Sequence, residues 1–378
     1  MKITVGQWAM KAALNNVDAC FASKPTLSQL SCVLITASYD QITITATNLS
    51  IWVEVIVQGN VQEEGAIAVP YAQLSNLINL YPDELIHMSS DKMNVFTFKT
   101  DNVKTNLKSV DADEYPSRNN MKIDEYGSGI EWKAEDFFGA LRKVAVSVSK
   151  DAARPITQCV IINMEESSTE FVSVDGYRMT SVTMFDPTES GIKSTAVIHF
   201  NDLITLMRMK QESMYVYAYF SEKEIMFMHG VTTLIVKRSE HTPMNLNSIA
   251  PNTCAFEIKV NVAKLLQACK QAMIAARDTS YTMKAEVCMP DSEAMNLSKL
   301  KLTAGDKTVV SNAEIEITGN GEGTIFGINV QYLVQFLETL DAEEITMQGS
   351  ANKPLVMFTD IQSNIKHWHL IMPVAVGG

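Results

Sequence analysis

The sequence predicts an α+β fold made of three similar domains, each combining antiparallel sheet with two helices. Two observations carry this. A pattern of elements recurs about every 127 residues, far beyond the solenoid periods of roughly 20 to 50. Within each copy, two short stretches of helical apolar spacing are embedded among many stretches that alternate as half-buried strands do. Two helices against many strands place both helices on one face of a sheet. A chain of 378 residues also exceeds what one hydrophobic core usually serves.

The first helix of each copy shows the repeat most clearly. Met10, Leu14, Val17 and Phe21 stand at spacings of four, three and four. Phe137, Leu141, Val144 and Val148 repeat that spacing after Ile130-Glu131-Trp132, and Leu265, Cys269, Ala272 and Ala276 repeat it after Phe256-Glu257-Ile258. Such spacing lines up one helical face. Halfway through each copy a strand leads into a second short helix. Ile67-Ala68-Val69-Pro70 precedes Leu74, Leu77 and Ile78; Ala196-Val197-Ile198 precedes Leu203, Leu206 and Met207; Ile325-Phe326-Gly327-Ile328 precedes Leu333, Phe336 and Leu337. Alternation marks strands at Gln41-Ile42-Thr43-Ile44-Thr45, at Met214-Tyr215-Val216-Tyr217-Ala218-Tyr219 and at Glu344-Ile345-Thr346-Met347. Loop chemistry separates the copies: Asp111-Ala112-Asp113-Glu114-Tyr115-Pro116 leads to Gly127-Ser128-Gly129, and His241-Thr242-Pro243 leads to Pro251-Asn252. The domains are therefore expected at 1–128, 129–253 and 254–378.

Composition narrows the class. A chain 46% hydrophobic and 20% charged can bury sizeable cores, unlike a disordered or fibrous one. No apolar run reaches the roughly 18 residues of a membrane span, and Met1-Lys2-Ile3-Thr4-Val5 enters strand alternation without a secretory signal, so a cytoplasmic location is expected. Cys20, Cys32, Cys159, Cys254, Cys269 and Cys288 form no CxxC pair, which reads as buried, reduced thiols. A net charge of −12 excludes a generally basic coat but not a local basic surface.

Three motifs, in this order and at these separations, resemble one family. They are Lys24-Pro25-Thr26-Leu27 before a strand, Val174-Asp175-Gly176-Tyr177-Arg178-Met179, and Met372-Pro373-Val374 near the end. The chain resembles the bacterial replicative sliding clamp, the beta subunit of DNA polymerase III, over its whole length; residues 203–209 and 265–277 resemble helices of that family's second and third domains. The resemblance implies a ring closed head to tail by two copies, the kind of contact that makes rings when its rotation closes. It implies a hole lined by helices around duplex DNA of any sequence, and a non-catalytic processivity factor without cofactor. Partners would be a replicative polymerase, a clamp loader and repair proteins that dock through short peptides.

Sliding requires weak contacts to phosphate rather than to base edges. The predicted helices carry Lys11, Arg142, Lys143, Arg208, Lys210, Lys264, Lys270 and Arg277, while most of the acidic surplus lies in strands and loops. Lys24, Lys150 and Arg154 match family loops that reach towards DNA. The expected DNA contacts are thus Lys24, Arg142, Lys143, Lys150, Arg154, Arg208, Lys210, Lys270 and Arg277. By the same matching, an apolar peptide cleft takes in Thr157, Val174, Gly176, Tyr177, Arg178, Met179, Pro243, Leu370, Ile371, Met372, Pro373 and Val374. Aliphatic and Met side chains adapt to varied apolar anchors. Read without the family, Asp175-Gly176 is a turn and the C-terminal run a last strand. Ile274 and Ala275 match an apolar pair at the ring interface. Thr157 stands where an aliphatic residue is usual and Tyr177 where His is common, and the chain continues past Val374 as Ala375-Val376-Gly377-Gly378. These departures also fit a clamp of a phage, plasmid or other mobile element.

Enzyme signatures are thin. His367-Trp368-His369 sets two imidazoles on one strand face, half of a metal site with no third ligand nearby in sequence. Gly319-Asn320-Gly321-Glu322-Gly323 lacks the strand-turn-helix context of a phosphate loop and reads as a hairpin turn. Asp111, Asp113 and Glu114 could gather round a cation. The alternative to a clamp is therefore a metal-dependent nuclease or phosphodiesterase on a repeated α+β scaffold.

Overall fold

The computed structural model describes residues 1–21, 27–39, 41–117, 129–185, 193–208, 213–242, 253–288, 298–359 and 364–376. The first copy runs β1 (Lys2–Gly6), α1 (Gln7–Val17), β2 (Cys32–Ser38), β3 (Gln41–Thr47), β4 (Ile51–Val57), β5 (Gly59–Glu63) and β6 (Gly65–Pro70). It continues with α2 (Tyr71–Leu80), β7 (Leu85–Ser90), β8 (Val95–Lys99) and β9 (Lys104–Lys108). The second copy begins β10 (Gly129–Lys133), α3 (Ala134–Val144), β11 (Cys159–Glu165), β12 (Ser168–Val174), β13 (Arg178–Phe185) and β14 (Ser194–His199). Then come α4 (Phe200–Arg208), β15 (Tyr215–Phe220), β16 (Glu224–His229) and β17 (Thr232–Lys237). The third copy opens with β18 (Phe256–Asn261), α5 (Val262–Ala275), β19 (Thr282–Cys288), β20 (Lys299–Gly305), β21 (Val310–Asn320) and β22 (Ile325–Asn329). It ends with α6 (Val330–Leu337), β23 (Glu344–Gly349), β24 (Leu355–Phe358) and β25 (Ile365–Ile371). Strand, helix, several strands, and the same again is the order in every copy.

The packing divides the chain differently from the repeat. One compact unit joins Met1–Phe137 to Asn201–Ser239, and the other joins Phe138–Phe200 to Glu240–Gly378. The reason is sheet continuity. In the first unit β17 pairs with β4, giving an eight-stranded sheet ordered β10-β15-β16-β17-β4-β3-β2-β6, beside a five-stranded sheet β5-β1-β7-β8-β9. In the second unit β13 pairs with β25, within a twelve-stranded sheet ordered β14-β11-β12-β13-β25-β24-β23-β18-β21-β20-β19-β22. Every ladder is antiparallel.

The predicted helical faces lie in the cores. Met10, Leu14, Val17, Leu74 and Ile78 are buried in the first unit, and Leu265, Cys269, Ala272, Ala276, Leu333, Phe336 and Leu337 in the second. Asn261 and Asn329 cap α5 and α6, their side chains accepting from Lys264 N at 3.0 Å and from Gln331 N at 3.0 Å, which satisfies otherwise orphaned donors. Phe21 and Val148 fall outside their helices, because 3₁₀ turns at Asp18–Cys20 and Ala145–Ser147 tighten the chain first. Phe21 instead stacks on Tyr71 at 3.9 Å between ring centroids.

Two further expectations need correction. The glycine-rich stretch near 321 is a turn but not a hairpin: β21 pairs with β18 and β20, while β22 pairs with β19. The length of β21, 11 residues, lets it leave one partner for the other. Of the six cysteines, Cys20, Cys32, Cys159 and Cys269 are buried, whereas Cys254 is exposed and Cys288 half-buried. Burial pushes the Cys20 and Cys269 thiols up to about 12, so they remain protonated and inert. Among the described residues, no helix is long and apolar enough to cross a membrane.

Candidate peptide cleft and cationic positions

The expected cleft residues gather around the turn between β12 and β13. Asp175 Oδ1 accepts from Tyr177 N at 2.9 Å and from Arg178 N at 3.0 Å, the self-bonding turn that Asp favours. Gly176 supplies the left-handed backbone the turn needs, with φ at +94°. Asp175 Oδ2 takes the Nε–H of Arg178 at 2.9 Å. The other end of that guanidinium donates to Gln335 Oε1 at 2.6 Å and lies 4.3 Å from the Tyr332 ring centroid, both on α6. Arg178 is thus a buried brace between turn and helix.

Below the turn, Met179 stands opposite Leu370 across the β13–β25 ladder. With Cys159, Ile161, Val172 and Val197 they form an apolar cluster, against which Ile156, Val174, Val356 and Trp368 pack half-buried. Thr157 is buried beside it. Its hydroxyl donates to Arg154 O at 2.7 Å, so the polar atom is satisfied within its own 3₁₀ turn (Pro155–Gln158). The hydroxyl therefore needs no further partner in this buried position.

After β25 the chain does not continue as a ladder strand. Met372 N donates to Tyr177 O and Val374 N to Gly327 O, each at 2.8 Å, which lays the last residues beside the turn. Gly327 permits this approach, since a Cβ there would sit 2.3 Å from Val374 O. Gly327→Val is accordingly expected to lift the C-terminal residues while leaving β25 in place. The check is protease digestion followed by mass spectrometry: faster cleavage after residue 371, with unchanged overall melting, is the expected pattern.

Several expected cleft residues therefore converge: Thr157, Val174, Gly176, Tyr177, Met179, Leu370, Met372, Pro373 and Val374. Ile371 does not join them, because its side chain alternates to the opposite face and is fully buried in the main core. Arg178, opposite Ile371, reaches to that same side. Pro243 lies outside the described residues. Arg154, expected at DNA, lies beside the turn: a Cβ on Gly176 would be 3.1 Å from its guanidinium. Sequence reasoning missed Gly327, Tyr332, Gln335, Val356 and Trp368. Trp368 was within reach, being two residues from Leu370 on one strand face; the α6 pair was not, since only tertiary packing brings it to the turn.

The other cations are distributed as follows. Arg142, Lys150, Arg208 and Arg277 are exposed and Lys143 is half-buried. Arg142 and Lys143 close the last turn of α3, and Arg208 that of α4, where the helix dipole favours positive charge. Lys270 is paired with Glu338 at 2.8 Å and Lys264 with Glu316 at 3.8 Å, which reduces the field they project. Lys24 and Lys210 lie outside the described residues. Of the apolar pair on α5, Ile274 is 75% exposed while Ala275 faces inward.

The histidine motif is packed as core. His369 stacks on Phe336 with centroids 4.5 Å apart and its Nδ1 lies 2.8 Å from Thr180 Oγ1; His367 meets Phe336 edge-on at 5.2 Å. Burial pushes His367 down to about 3 and holds His369 well below the usual imidazole range, so both rings are neutral at neutral pH. Asp111 caps a turn, accepting from Asp113 N at 3.0 Å. No group of three potential metal ligands occurs among the described residues.

Comparison with known proteins bears on the chain and its fold as a whole. Residues 1–121 match the family model of the DNA polymerase III beta subunit, N-terminal domain. A beta sliding clamp of Synechococcus elongatus is 21% identical over 380 residues, covering 99% of each chain. Among solved structures, the DNA polymerase sliding clamp of Bacillus subtilis superposes with a TM-score of 0.90 at 20% identity, and a putative DNA polymerase III beta subunit from Eubacterium rectale with 0.90 at 18%, each covering 100% of both chains. The chain is thus similar to bacterial beta sliding clamps along its full length, matches the family model of the DNA polymerase III beta subunit in its N-terminal third, and has the fold of the solved clamps.

Proposed function

We propose that this chain is a DNA sliding clamp of three domains, 1–128, 129–253 and 254–378. Two copies close head to tail around duplex DNA in the cytoplasm, with Ile274 at the closure. The ring holds DNA through phosphate contacts from Arg142, Lys143, Lys150, Arg208 and Arg277, joined by Lys24, Lys210 and Lys270, and is indifferent to base sequence. It performs no chemistry. Its cleft captures short peptides of a polymerase, clamp loader or repair protein, which keeps the polymerase at high effective concentration on its template.

The observation that supports this reading is how the expected cleft residues are arranged: an apolar cluster, a turn braced to α6, and C-terminal residues seated beside it. Arg154, at the turn, supports a role at the cleft rim rather than at DNA. The nuclease alternative has no observation in its favour, since the histidines it would use are buried against Phe336.

The decisive measurement is retention on nicked circular DNA with a clamp loader and ATP. Protein loaded on the circle is expected to be lost when the circle is linearised. Equal retention on both forms would refute encirclement. Charge reversal at Arg208 and Lys150 should weaken binding and lower the slope of log K against log salt by about one per phosphate contact removed.

A further inference from the structure

We propose that Glu170 forms a second, acidic end of the peptide cleft and selects partner peptides that carry a Lys or Arg about four residues from their apolar anchor. This rests on the cleft reading above and adds a chemical requirement to it.

The argument follows the sheet face. Side chains two apart on a strand share a face, so the face that presents Val174, Met179 and Leu370 also presents Val172, Ser181 and Trp368 in the next row. The row after that is Asn163, Glu170, Thr183 and Lys366. The apolar floor therefore continues through half-buried Trp368 to a polar end. There Glu170 is held from two sides: Asn163 Nδ2 donates to Oε2 at 3.1 Å, and Ser181 Oγ donates to Oε1 at 2.6 Å. Glu170 is half-buried, and no cation pairs with it among the described residues. Lys366 stands on β25, on the far side of Thr183 from Glu170.

A carboxylate fixed by two neutral donors, partly withdrawn from water, has its geometry set before a ligand arrives. What it lacks is positive charge. A charge-assisted hydrogen bond there is stronger than a neutral one. From Met179 to Thr183 the face advances four residues, about 13 Å at roughly 3.3 Å per residue, which an extended peptide spans with four residues of its own. Arg154 beside Gly176 and Glu170 at this end give the cleft opposite charges at its two ends. That polarity also fixes the direction in which a charged peptide lies.

The test is selection of random dodecapeptides displayed on phage against the full-length protein, the Glu170→Gln variant and the Met179→Ala, Leu370→Ala double variant. Gln keeps the size and removes the charge: its carbonyl oxygen can accept from Asn163 while its NH2 donates to the Ser181 hydroxyl oxygen, so both neighbours stay paired. The wild type is expected to enrich apolar pairs with Lys or Arg about four positions away. Glu170→Gln should keep the apolar pair and lose the basic preference, with the selected peptide binding about tenfold more weakly by fluorescence anisotropy. Apolar enrichment without a basic preference, or a preference unchanged in Glu170→Gln, would overturn the proposal and leave the cleft standing. Enrichment that survives the double variant, or none in the wild type, would overturn the cleft itself.

Discussion

Lowering the pH from 7 to 4.5 is expected to cost the folded chain roughly 3 kcal/mol through His367, with a further loss of the same sign through His369. Both rings are neutral when folded, His367 titrating near 3 and His369 well below its usual range. An unfolded imidazole takes its proton near 6.5. Below that pH the unfolded chain binds more protons than the folded one. Stability is thus complete above about 6.5 and falls by about 1.4 kcal/mol per pH unit for each ring as acidity rises, until the folded value is reached. The causes lie in the packing: both rings are buried around Phe336, Lys143 adds repulsion at His367, and Arg178 does so at His369. Urea unfolding between pH 7 and 4.5 would measure it. His367→Phe is the informative comparison, because neither His367 nitrogen has a hydrogen-bond partner to lose. The difference between wild type and variant should correspond to one proton, with carboxylate effects cancelling. A variant that retains the full slope would refute the assignment.

Removing the brace at the cleft is expected to have the second-largest effect. Arg178→Ala should cost about 3 kcal/mol, the usual scale for breaking a buried ion pair from one side. The two side chains are only 9% and 12% exposed, so Asp175 would keep a nearly buried charge without its cation, and Gln335 would lose its donor. Arg178→Lys should recover only part of this, since one ammonium cannot serve Asp175, Gln335 and the Tyr332 face as a planar fork does. Urea midpoints give the stability. Peptide anisotropy in parallel should show at least tenfold weaker binding in Arg178→Ala, because the turn that seats Met372 loosens. Unchanged affinity would mean that the turn holds its shape without α6.

The threefold recurrence, the helical faces and the alternating strands were legible in the sequence because each depends on local periodicity. Met10 and Leu14, or Leu333 and Phe336, show their burial through spacing alone. The turn at Asp175-Gly176 was legible for a similar reason, since Asp bonds its own backbone and Gly relieves positive φ. The neutral, buried state of His367 and His369 was not, because alternation gives a face but not what covers it. Nor was the inward side of Ile371, although alternation with Leu370 contained the information. Only the tertiary structure decided how the repeats share sheets, β17 on β4 and β13 on β25, since pairing between distant strands leaves no local trace. It alone brought Gln335 and Tyr332 to Arg178, Arg154 to Gly176, and Val374 to Gly327. Spacing along the chain fixes which face a side chain takes. Which partner that face meets depends on contacts between residues far apart in sequence, and these exist only once the sheets have assembled.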